Sequence, residues 1–283
     1  MSEIQKGIDF SKYESTIDEL KVFLQDTLGG VAIHSAIFFG SSTMGERYFQ
    51  EGVSDIDVCA FTDEMKPENY ASILNDVKAA LPHATLDKAP VLINDQIADR
   101  IEFYLEFPDI NIDMNIMPPG LPRLEIASET AAHDSLEILA GSFYQHGIPF
   151  IGDIPLKNEI GEKFLPFYDD TLRMQRLDTL MSRVQTNNRR ALKTIDRGDA
   201  NVIDDIYKSR SYFLKWLFIY NRTYPISLSK HLEQQFQDFL HLDPREIETL
   251  QFSSGGSMID STKEYINLTE QYATRFGNEG GNV

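Results

Sequence analysis

At 283 residues, 42% of them hydrophobic, the chain is long enough for two domains that each bury a core of their own. Its net charge of −18 argues against extended binding to duplex DNA, where phosphate neutralisation dominates affinity. No run approaches the roughly 18 uninterrupted apolar residues of a membrane-crossing helix, and no basic region followed by an apolar stretch opens the chain, so neither a membrane span nor a secretory leader is expected.

Ser11 and Glu14 read as a capping box that opens a helix to about Leu28, closed by Gly29-Gly30. Its apolar set of Tyr13, Ile17, Leu20, Leu24 and Leu28 has helical spacing, which makes it a packing element. Ile33 to Phe39 is an apolar stretch bounded by glycines and reads as a buried strand, with His34 as a hydrogen-bonded core histidine. Gly40-Ser41 follow it. Gly40 lets the backbone turn sharply, and the N–H groups of such a turn are suited to phosphate oxygens. Val53 to Phe61 is a second β-rich run. On a strand of period two, Asp55 and Asp57 leave one face while Ile56 and Val58 enter the core. Two adjacent carboxylates repel each other and are best tolerated around a divalent cation. Cys59, the only cysteine, reads as a small buried apolar residue; it excludes an internal disulfide and fits a reducing cytoplasm.

Asn69 to Leu81 predicts an amphipathic helix. Residues 100–107 and 110–117 form a hairpin through Pro108-Asp109, ended by Pro118-Pro119-Gly120. In Ile110 to Ile116 apolar and polar residues alternate, which puts Asp113 on the polar face between Asn111 and Asn115. Asp109 has the same parity but sits in the turn, so Asp113 is the preferred third acid. Residues 129–144 are helical in composition, and 148–153 form a short apolar segment before a loop. From about Tyr168 the pattern becomes helical: 169–196, ending at Gly198; 201–222, ending before Tyr224-Pro225; a helix capped by Asp243-Pro244; and 260–276.

An apolar strand, Gly40-Ser41, a gap and then Asp55-Ile56-Asp57-Val58 resembles the signature of the DNA polymerase β-like nucleotidyltransferase superfamily. That resemblance implies that Asp55, Asp57 and a third carboxylate, Asp113, hold two Mg²⁺ ions and catalyse transfer, while Gly40 and Ser41 hold a nucleoside triphosphate. An α/β domain followed by a helical bundle resembles the aminoglycoside adenylyltransferase branch. The expected fold class is therefore α+β: a nucleotidyltransferase domain over 1–153, a helical domain closing the cleft over 154–276, and a disordered tail over 277–283. The expected reaction transfers AMP from ATP, or another NMP from its NTP, to a hydroxyl of a small, cationic, aminoglycoside-like acceptor. Transfer to tRNA or to a protein side chain is the enzymatic alternative, and a non-catalytic nucleotide-binding or antitoxin-like module is the other.

Charge is uneven along the chain. Residues 1–152 carry 25 acidic against 9 basic side chains, whereas 173–230 carry 12 basic against 5 acidic. A cationic acceptor suits the first stretch. In the second, Lys208, Arg210 and Lys215 on one helix, with Lys230 beyond it, are candidates for the β- and γ-phosphates. Ser54, beside the acid pair, and Arg47, just past the Gly-Ser turn, are further nucleotide contacts. Tyr212, Phe213, Trp216 and Phe218 read as bundle core. The six histidines lack metal-site spacing, so zinc is not expected. Neither a Gly-x-x-x-x-Gly-Lys-Ser/Thr loop nor a Gly-x-Ser-x-Gly elbow is present.

Overall fold

The computed structural model describes residues 7–25, 32–62, 67–81, 85–88, 92–93, 96–97, 101–117, 141, 143–153, 170–197, 202–253, 255 and 257–280. The chain is α+β and divides into two compact units, Met1–Leu165 and Pro166–Val283. The break falls beyond the boundary expected near 153. The expected helix over 129–144 lies for most of its length outside the described residues, as do Gly29-Gly30, Pro118-Pro119-Gly120 and Gly198.

In the first unit, Asp9 rather than Ser11 opens the leading helix. Its carboxylate accepts hydrogen bonds from the Ser11 N–H (3.2 Å) and hydroxyl (2.6 Å). A 3₁₀ turn, Phe10–Tyr13, then leads into α1, Glu14–Gln25. Aspartate competes well as a cap because its charged oxygen faces the positive end of the turn. Tyr13, Ile17, Leu20 and Leu24 are buried, so the apolar stripe packs as its spacing predicts. The second helix, α2, spans Pro67–Ala80.

Among the described residues, eight strands follow the chain as β1 Ile33–Phe39, β2 Ile56–Thr62, β3 Thr85–Lys88, β4 Leu92–Ile93, β5 Gln96–Ile97, β6 Ile101–Glu106, β7 Asn111–Met117 and β8 Ile148–Ile151. Six of them form one sheet in the order β3-β6-β7-β2-β1-β8. β6 and β7 are the expected antiparallel hairpin. β7 then lies parallel to β2 at the centre of the sheet, while the other pairings are antiparallel.

The two faces of this sheet differ. On one, Ala36, Phe38, Ile56, Val58, Ala60, Ile112, Met114 and Ile116 pack with Ile17, Leu20 and Leu24 of α1 and Ile73 and Val77 of α2. On the other, Ile37, Phe39, Cys59, Phe61 and Met117 gather around Phe143. Both faces are thus apolar along the middle of the sheet, which explains why β1 and β2 read as near-continuous hydrophobic runs. His34 departs from expectation: it is exposed, because β1 becomes buried only from Ser35 onward.

The second unit is helical: α3 Asp170–Asp196, α4 Val202–Tyr220, α5 Leu232–Asp238, α6 Pro244–Gln251 and α7 Met258–Gly280. α6 carries the predicted proline start and a complete capping box between Asp243 and Glu246. α7 continues past Phe276 into the segment expected to be a disordered tail. Phe276 stacks edge-on against Trp216 and Tyr220, and those contacts anchor the last turns despite Gly277 and Asn278.

Phe213, Trp216 and Phe218 are buried, as core residues should be. A polar group runs through this core as well. The Ser209 hydroxyl donates to Asn188 Oδ1 at 2.6 Å and lies 3.0 Å from the Tyr265 hydroxyl. Asn188 Nδ2 donates to Thr269 Oγ1 at 2.8 Å, and that hydroxyl donates to the Ile266 carbonyl. The group ties α3, α4 and α7 together.

Candidate functional site

The site begins where β1 ends. Gly40 has φ +69°, a left-handed conformation, and opens a single 3₁₀ turn over Gly40–Thr43. A Cβ built on Gly40 would clash with a carboxylate oxygen of Asp57 and stand 2.9 Å from its Cγ. Glycine is required twice over, for its backbone angle and for the carboxylate packed against it.

Several hydrogen bonds fix this turn. Ser42 Oγ donates to the Phe39 carbonyl (3.1 Å) and Thr43 Oγ1 to the Gly40 carbonyl (2.9 Å). The Met44 N–H donates to the Ser41 carbonyl (3.2 Å), while the N–H groups of Ile8 and Gly7 donate to the carbonyls of Ser42 and Thr43 (2.9 Å each). Five successive carbonyls are thereby held as acceptors. The N–H groups of a first helical turn have no intrahelical carbonyl to meet, so this edge is the one suited to an anion. Sequence reasoning did not identify the braces supplied by Ser42 and Thr43. Their signal was the run of hydroxyl residues directly after Gly40.

Register brings the acids to the same place. Phe39 pairs with Asp57 across β1 and β2, and Asp57 pairs with Asp113 across β2 and β7. Paired residues on neighbouring strands project from one face about 4.8 Å apart. Asp57 and Asp113 therefore stand side by side, both half-buried, at the polar end of the face that Phe39, Cys59 and Phe61 make apolar. Asp55 precedes β2 and is half-buried in the approach to it. Asp109 is engaged elsewhere, since the Thr16 hydroxyl of α1 donates to it.

The pair fits a divalent cation: two carboxylates share one position at the end of parallel strands, facing a turn where only glycine fits. Among the described residues no group of three His, Cys, Asp or Glu side chains is gathered closely enough to hold a metal ion.

The remaining expected contacts are dispersed. Ser54 closes the loop ahead of Asp55: its hydroxyl accepts the Gln50 N–H at 3.0 Å, and its own N–H donates to the Gln50 carbonyl at 2.8 Å. Arg47 is exposed in that loop. In the helical unit, Lys208 and Lys215 lie seven residues apart and so on one face of α4. The Lys208 ammonium lies 2.6 Å from Asp204 Oδ2, and Lys215 is half-buried. Arg210 points the other way. Its Nε donates to the Leu250 carbonyl at the end of α6 (2.6 Å), and burial lowers its pKa, so it is a helix-end contact and not part of a phosphate clamp with Lys208. Lys230 is exposed before α5.

Comparison with known proteins finds no matching family model. No curated protein matches the sequence. Among solved structures, the chain is similar to a nucleotidyltransferase-like protein from Exiguobacterium sibiricum, with 6% identity and a TM-score of 0.44, covering 92% of this chain and 73% of that one. It is also similar to an aminoglycoside 6-adenyltransferase from Bacillus subtilis, with 14% identity and a TM-score of 0.32, covering 93% of this chain and 89% of that one.

Proposed function

We propose that this chain is a nucleotidyltransferase that moves AMP from ATP, or another NMP from its NTP, onto a hydroxyl of a small cationic acceptor. The observation that carries the reading is the pairing of Asp57 with Asp113 directly against the left-handed turn at Gly40. Gly40 and Ser41 hold the triphosphate through backbone N–H groups. The acceptor oxygen attacks the α-phosphorus while the bond to the β-phosphate oxygen breaks, so pyrophosphate leaves. Asp113 takes the proton of the acceptor hydroxyl.

Asp57 and Asp113, joined by Asp55, would hold Mg²⁺, which when bound supplies charge neutralisation at the transferring phosphoryl group and a lowered pKa for the attacking hydroxyl. The acidic excess of residues 1–152 favours a cationic, aminoglycoside-like acceptor through long-range attraction.

Incubation with NTP, Mg²⁺ and a panel of hydroxylated amines tests the proposal, with pyrophosphate release as the readout. Release by the wild type and none by Asp57→Asn is the expected result. A near-wild-type rate in that variant sinks the assignment. Raising salt then sorts acceptors: a tRNA acceptor predicts affinity falling steeply, whereas a small amine predicts a shallow slope.

A further inference from the structure

The helical unit holds a second polar site that nucleotidyl transfer does not require. α3 and α4 border a cavity of about 280 Å³ lined by Arg183, Thr186, Asn187 and Arg190 of α3 and Lys208 and Tyr212 of α4, with Ser182 at its margin. Among the described residues, no carboxylate lines it. The α3 residues recur at intervals of three and four, so they form one stripe along the helix.

The cations are arranged rather than merely numerous. Arg183 lies over the Tyr212 ring with its Cζ 5.3 Å from the ring centroid. A ring beneath a cation favours its position over other rotamers, and a guanidinium is the group that can meet a phosphate in two parallel hydrogen bonds. Arg190 stands two turns further along the same stripe, about 10.5 Å away at the backbone. Among the described residues, no carboxylate forms an ion pair with either arginine.

Lys208 faces them from α4. Its bond to Asp204 raises its pKa, with Asp205 also favouring the charge, against a smaller opposing effect from Arg190. Both partners of the Lys208–Asp204 pair are exposed; such pairs exchange readily for a better anion.

We infer that the α3–α4 groove binds an oligophosphate, a chain of two or more phosphoryl groups, without the help of a metal ion. The separation of Arg183 from Arg190 by two helical turns favours more than one phosphoryl group. The inference is independent of the acid pair at Asp57 and Asp113.

Titration calorimetry of the full chain with inorganic tripolyphosphate in EDTA tests it. Saturable binding at one site is expected, weakened at least tenfold by Arg183→Ala combined with Arg190→Ala, and unchanged within twofold by Asp57→Asn. Lys193→Ala removes one positive charge from α3 outside the cavity and should leave binding unchanged within twofold. Circular dichroism confirms that each variant is folded. Competition by ATP in EDTA or by a short oligoribonucleotide then identifies which natural source of linked phosphates occupies the groove. Absence of saturable binding in the wild type overturns the proposal, as does equal weakening by Lys193→Ala and the arginine pair. Loss of pyrophosphate release in Asp57→Asn with tripolyphosphate binding retained separates the fate of this site from that of the transferase reading.

Discussion

Each unit contains a cluster of polar side chains, and the two clusters follow opposite rules. In the helical unit, Ser209, Asn188, Thr269 and Tyr265 are neutral and buried, and donors meet acceptors in sequence until the chain of bonds closes on a backbone carbonyl. In the first unit, two carboxylates occupy paired strand positions, an arrangement of like charges that hydrogen bonding between them cannot relieve. The neutral cluster is complete as it stands and serves packing. The acidic one sets like charges side by side, an arrangement that added positive charge eases and that suits a site for an external cation.

The largest effect should come from the acid pair. Asp57→Asn is expected to reduce nucleotidyl transfer by about 10³-fold or more, on the order of 4 kcal/mol of transition-state stabilisation. Its fold should remain intact, with a melting temperature within a few degrees of the wild type. A fall of several degrees would make Asp57 a structural residue and erase the contrast between the clusters.

Gly40→Ala comes next. A Cβ there meets the Asp57 carboxylate and forces an unfavourable φ, so stability should fall by about 1–3 kcal/mol and activity should fall with it. Denaturant titration beside the pyrophosphate assay would show whether the two losses travel together.

Ser209→Ala should cost a similar or smaller amount, about 1–3 kcal/mol, because Asn188 Oδ1 loses a buried donor. Its turnover per folded molecule should be unchanged. A large drop in turnover would mean that the neutral cluster is not purely structural.

The gentlest test is alkaline titration. Burial is the main cause holding the Tyr265 phenol well above its ordinary range. Tyr272 is raised too, first by burial and then by Glu246, whose carboxylate accepts its hydroxyl at 2.9 Å. Unfolding frees both phenols to ionise near pH 10. The stability they contribute is therefore complete below about pH 10 and is lost as pH climbs above it. Urea midpoints measured from pH 8 to 11 should decline only in the upper part of that range, and less steeply in Tyr265→Phe.

Legibility followed physical locality. The β1 strand, the turn at Gly40, the β6–β7 hairpin and the helices α3, α4 and α6 were readable because periodicity, glycine and proline act within a few residues of themselves. Asp113 could be chosen over Asp109, which shares its strand parity, because Asp109 directly follows Pro108 in the turn. What could not be read were the long-range choices: that β7 would lie parallel to β2, so that Asp57 meets Asp113, and that Arg210 would turn to the Leu250 carbonyl while Lys208 faced α3. The cap failed for a subtler reason. Ser11 and Glu14 satisfy the pattern, but Asp9 is charged and lies two residues earlier, where it bonds Ser11 itself.

The parallel pairing at the centre of the sheet also sets an order of events. β2 and β7 are neighbours in space, yet everything between Thr62 and Asn111 must be synthesised and folded aside before they can join. Contacts closing so long a loop form late and slowly. A nascent or truncated chain ending before Asn111 thus carries the turn at Gly40 and the β1 partner of Asp57 but neither β7 nor Asp113, and competence for chemistry should arrive in one step, when the last central strand is zipped into place.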